Sequence, residues 1–146
     1  MEKPPQVFTV EGINALVPRL NDLVGRQIDR RSVIENKLRD LATLTGEVPE
    51  AIVLGVDDPM PVADLKKELM ARIDEYQTGW RELEDMGAVL KDARIGLLDF
   101  YGNVEGKMVW LCWKYGEKEV SHYHALDEGY AARKELRQSI RHRLLN

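Results

Sequence analysis

Residues 111–133, "LCWKYGEKEVSHYHALDEGYAAR", bring together the chain's only cysteine, two of its three histidines, several acids and an arginine. Three kinds of chemistry are open to such residues. His122 and His124, two apart on one strand, can share a metal ion if a third ligand joins them. Cys112 can act as a nucleophile if a base and an open, electropositive setting accompany it. Lys91, His124 and Arg133 can bind an anionic group, with Asp92 or Asp99 orienting them or serving as a base.

Each also has a plainer reading. No Cys-x-x-Cys and no His-Glu-x-x-His accompanies the histidines, and His142 lies in a basic tail, so they are expected to line a sheet face and hold no metal. Cys112, between Leu111 and Trp113, reads as core packing. Lys91, Asp92 and Asp99 lie on or beside early strands, where charges usually face solvent or mark an edge. Gly129 to Arg133 reads as a helix start whose backbone N–H groups and arginine suit an anion. The sequence has no phosphate loop, dinucleotide fingerprint or nucleophile elbow, and no cofactor is expected.

These residues need a scaffold. Thr9 can cap a helix carrying Ile13, Leu16, Val17, Leu20, Val24, Ile28, Ile34, Leu38 and Leu41 on one stripe, with Gly46 as its stop. Pro18 predicts a kink or a late start. A second helix from Pro59 or Pro61 carries Val62, Leu65, Leu69, Ile73, Tyr76, Trp80 and Leu83, close to a heptad seam. The two form an antiparallel hairpin spanning about residues 9–86. The connection over 46–61 contains "AIVLGV", which is expected to fold back on the hairpin or add a short strand.

After Gly87 the period falls to two. "AVLKD", "IGLLDFY", "KMVWLCWKY" and "KEVSHYHA" predict an antiparallel meander over about 88–126. A two-residue turn of Gly116 and Glu117 pairs Cys112 with Ser121 and Val109 with His124, placing both histidines on the face of Trp113, Leu111 and Val109. Asp127 is expected to cap a C-terminal helix over about 127–145, through Leu136, Ile140 and Leu144. The fold class is α+β, a single domain of 146 residues.

Composition narrows the partners. The 44% hydrophobic and 32% charged content is globular. A net charge of −4 argues against nucleic acid, despite Arg133, Lys134, Arg137, Arg141 and Arg143 near the C-terminus. A single cysteine, no signal peptide and no apolar run of membrane length make a cytoplasmic protein the expectation. The long apolar stripes favour a homodimer with a non-catalytic scaffold or binding role. The alternative is a small anionic-ligand-binding protein or enzyme with a site at Lys91, His124 and Arg133, marked by an apolar cleft where the meander meets the last helix.

"FT", Ala15 and Leu16 with "PRL", "GAVLKDARIGLLDF", "LCWKYGE", His124 and "GYAAR" recur in that order in one known group. The chain resembles, over nearly its whole length, an uncharacterised prokaryotic family called domain of unknown function twenty-two-oh-three. The resemblance implies no activity, since the family has none established. It does single out Lys91, Asp92, Asp99, Cys112, Glu117, His124, Gly129 and Arg133 among the matching positions, along with Gly96, Leu97, Phe100, Leu111, Trp113 and Gly116. His122 matches none. Tyr123 stands where the family usually has tryptophan, "DFYGNVEG" replaces a proline-containing turn, and an alanine replaces a glycine before Arg133.

Overall fold

The computed structural model describes residues 6–104 and 106–136. It is an α+β protein with two long helices and one antiparallel sheet. Helix α1 runs Val10–Thr45 and α2 runs Met60–Asp85. Thr9 caps α1, its Oγ1 accepting the Gly12 N–H at 2.9 Å, and Gly46 ends it at φ +83°. Helix α1 begins upstream of Pro18 and carries it internally, so the late start is not seen.

The chain divides into two compact units, residues 26–81 and residues 1–25 with 82–146. The first is the hairpin proper. Ile34, Leu41, Val62 and Leu69 form its buried cluster, with Leu38, Leu65, Ile73 and Tyr76 packed against them. Arg30 pairs with Glu75 and Lys37 with Glu68, the numbers on one helix rising as those on the other fall. Of the 46–61 connection, Ile52 packs on this cluster, while Val48, Val53, Leu54 and Val56 are exposed and no strand forms. Asp58 fixes the connection instead, accepting from the Gly55 N–H and from Lys66.

The second unit contains the sheet, in the order β1 (Val89–Asp92), β2 (Leu97–Val104), β3 (Lys107–Lys114), β4 (His122–Ala125) and β5 (Lys134–Glu135). The meander is therefore present, with five strands where the sequence predicts three or four. Leu98 pairs with Trp113 and Phe100 with Leu111, which puts these four wholly buried side chains on one face. The early turns of α1 are tied to the same unit: Asn14 Oδ1 accepts the Val120 N–H and Asn21 Oδ1 that of Gly116.

Two expectations are corrected. No helix starts at Asp127: a 3₁₀ turn at Tyr130–Ala132 is followed by β5, and Leu136 is buried just beyond it. Ile140 and Leu144 lie outside the described residues. The β3–β4 register is also one residue away from that expected. Val109 pairs with Ala125, Trp110 with His124 and Cys112 with His122. The turn is Lys114–Glu117, closed by the Glu117 N–H donating to the Lys114 carbonyl, with Gly116 third at φ +93°. Val120 then bonds to Asn14, so pairing with β3 resumes only at His122. A one-residue slip turns every side chain over. Both histidines therefore share the face of Cys112 and Trp110, away from Trp113 and Leu111.

Candidate functional site

The sheet face opposite Leu98, Phe100, Leu111 and Trp113 carries the chemistry. Asp99 on β2 pairs with Cys112 on β3, and Trp110, one step along, pairs with His124 on β4. Asp99, Cys112 and His124 are 1%, 0% and 2% exposed. Asp99 Oδ2 lies 2.9 Å from His124 Nε2, and His124 Nδ1 lies 2.9 Å from the Ala125 carbonyl. A carbonyl only accepts, so Nδ1 carries a proton. The line between Nε2 and Oδ2 then holds one more, which makes the pair either imidazolium with carboxylate or imidazole with carboxylic acid. Both descriptions are neutral overall.

Burial raises the Asp99 carboxyl above its ordinary range, opposed by His124, Lys91 and the neighbouring Cys112 thiol. Its second oxygen, Oδ1, is buried and receives no hydrogen bond among the described residues. An acceptor in that condition is costly to leave unmade. Burial, followed by the Asp99 charge, pushes the Cys112 thiol up to about 12, while Arg133 pulls the other way. Cys112 is thus a closed-in thiol, without the open setting of a free nucleophile.

A pocket of about 310 Å³ opens against this pair, lined by Lys91, Asp92, Leu97, Asp99, His124, Glu128, Gly129 and Tyr130. A bulge in β1 brings two of these together. Leu90 pairs with Leu98 but Asp92 pairs with Leu97, so Lys91 is the extra residue. A regular strand would send Lys91 and Asp92 to opposite faces. Here both reach the pocket, and Lys91 Nζ sits 4.4 Å from the centre of the Trp110 ring.

Of the five residues the sequence nominated, Lys91, Asp92, Asp99 and His124 line this pocket and Arg133 does not. Arg133 follows the 3₁₀ turn in extended backbone, where it forks onto Glu117, with both contacts at 3.3 Å. It also stacks over Tyr130 at 4.6 Å, and its Nη1 reaches Cys112 Sγ at 3.8 Å. His122 stays apart, its Nδ1 engaged with Ser121 Oγ at 3.0 Å. Sequence reasoning missed Cys112 as a neighbour of Asp99 and His124, because that adjacency requires the β2–β3 register. It also missed Glu128 and Tyr130, whose only signal was their closeness in sequence to His124 and Arg133, and Trp110, which the strand register brings opposite His124.

No curated protein and no solved structure matches the chain. A family model described as an uncharacterised conserved protein, DUF2203, matches residues 6–136, and the chain belongs to that family.

Proposed function

We propose that the protein binds a small polar ligand in the pocket between β1, β2, β4 and the Glu128–Tyr130 segment, with the Asp99–His124 pair at its chemical end. One observation carries this reading: Asp99 lines an open pocket, and its Oδ1 is a buried acceptor with no hydrogen-bond partner among the described residues. Buried polar groups are normally satisfied, and an exception calls for a donor or a cation. The cleft is lined mainly by charged side chains and is not the apolar one expected from the sequence, which points to a polar ligand. Charge speaks against a bare anion as the ligand. Asp92, Asp99 and Glu128 line the pocket against Lys91 and the proton of the His124 pair, and Arg133 is already matched by Glu117.

Ligand-observed NMR against a panel of small amines, hydroxy compounds, phosphates and nucleotides tests the reading. Saturable binding by the wild type, lost in Lys91→Ala and Asp99→Asn, is expected. Absence of any binder, or binding untouched in both variants, would overturn it.

A second reading keeps the homodimeric scaffold. The α2 stripe that first suggested it is packed within the hairpin, but Leu44, Val48, Val53, Leu54, Val56 and Met60 are exposed in and around the 46–61 connection. Apolar side chains gathered in this way favour self-association. Light scattering coupled to size exclusion should give twice the chain mass, and Val53→Asp with Val56→Asp should return it to one. A monomeric wild type at micromolar concentration would remove this reading.

A further inference from the structure

We infer that the deep end of the pocket is a divalent-metal site built from Asp99, Cys112 and His124, and that zinc(II) is the ion its donors suit. The inference rests on the pocket being the functional site. A carboxylate oxygen, the thiol sulfur and a ring nitrogen of these residues all lie within 4.8 Å of one another. Mixed nitrogen, sulfur and oxygen donors select a borderline-soft ion, whereas calcium and magnesium prefer oxygen alone. Zinc bonds of about 2.0–2.3 Å place donors about 3.3–3.8 Å apart, so no pair of these donors needs to close by more than about an ångström.

Four features go beyond proximity. His124 donates its Nδ1–H to the Ala125 carbonyl, the outer hydrogen bond that metal-bound histidines use to present Nε2. Asp99 Oδ1 is buried with no other partner, so a cation there satisfies it. Asp99 and His124 line the pocket and Cys112 does not, so a fourth ligand to the ion would come from the pocket side. Three protein ligands and one open position are the arrangement of catalytic zinc.

Charge balance is the fourth feature. The metal displaces two protons, one from the Cys112 thiol and one from the line shared by His124 and Asp99. A dication then faces one thiolate, one carboxylate and a neutral imidazole, so the buried site remains neutral before and after. Arg133, matched by Glu117, adds no net charge, and its Nη1 is placed to steady the thiolate. His122 is outside the set.

The test uses the full chain, stripped with chelator and titrated with cobalt(II) and then zinc(II). One equivalent of cobalt should bring a sulfur-to-cobalt charge-transfer band and tetrahedral visible bands, both bleached by one equivalent of zinc. Cys112→Ser should abolish the charge-transfer band and weaken cobalt binding by about tenfold or more. His122→Ala should change neither. Circular dichroism checks that each variant is folded, and the wild-type spectrum decides by itself if one is not. No saturable cobalt binding by folded wild type, binding without the sulfur band, or loss of the band in folded His122→Ala would overturn the inference. If small ligands still bind the chelated protein while cobalt does not, the metal alone falls and the pocket stands. If neither binds, both fall.

Discussion

Asp99 Oδ2 stands 2.9 Å from His124 Nε2 although β3 lies between the strands that carry them. In register, Asp99 lies opposite Cys112 and His124 opposite Trp110, so the contact runs diagonally across β3. A neutral, almost wholly buried pair of this kind is stable while it is complete. Asp99→Ala leaves His124 Nε2 without its partner, and a loss of about 3–5 kcal/mol is expected, the range for breaking a buried pair. Asp99→Leu with His124→Leu should cost less than the sum of the two single changes. Urea denaturation in chelator at neutral pH measures all four variants, and additive losses in the leucine set would show that the pair is not coupled.

Cys112 is fully buried and its thiol is pushed up to about 12. In the metal-free folded protein, thiol reagents should label it far more slowly than in the urea-unfolded chain. Cys112→Ser should lower stability by about 1–3 kcal/mol, because it buries a hydroxyl in place of a weakly polar thiol. Rapid labelling of the folded protein at neutral pH would show an open, activated thiol.

The two helices and the meander were legible because they depend on periods of 3.6 and 2 written into residues such as Leu69, Ile73 and Leu98, Phe100. The faces of β4 were not. They depend on whether Gly116 is the first or second residue inside the turn, and both choices satisfy a glycine. Contacts distant in sequence decided it, Asn14 taking the Val120 N–H and Asn21 that of Gly116. Lys91 and Asp92 were nominated together, but the bulge that lets both face one pocket has no local signature in "VLKD". Arg133 was placed near His124 through a helix that the chain does not form there. Its actual tie is the fork to Glu117, a pairing across 16 residues.

Asp58 offers a pH test remote from the pocket. Its carboxyl is held below the ordinary range by the hydrogen bond from Lys66 and then by the Gly55 N–H. A depressed folded value means the unfolded chain takes up the proton first as acid is added. The stabilisation is therefore complete above the ordinary carboxylate pKa and is lost as pH falls through the depressed folded value. Asp58→Asn should flatten the acid limb of the unfolding free energy and leave the neutral-to-alkaline limb parallel to wild type. An unchanged acid limb would show that Lys66 and Asp58 do not interact in solution.

Gly79 tests the packing of the hairpin unit. An alanine inside a helix normally gains about 1 kcal/mol over glycine. At this position the added Cβ would fall within the van der Waals shell of the Gln27 side-chain amide. Gln27 is only 1% exposed, and its Nε2 donates to the Tyr76 carbonyl at 2.6 Å while its Oε1 accepts from Arg30 at 2.7 Å. An end group held on both sides cannot swing away without leaving buried polar atoms unpaired. Gly79→Ala should therefore destabilise by about 1–3 kcal/mol, the helix gain notwithstanding. Gly79→Ala combined with Gln27→Ala relieves the clash and should recover part of that loss, separating crowding from any other effect of the alanine. A stabilising Gly79→Ala in thermal unfolding would mean that the helices approach less closely at Gln27 than this packing requires.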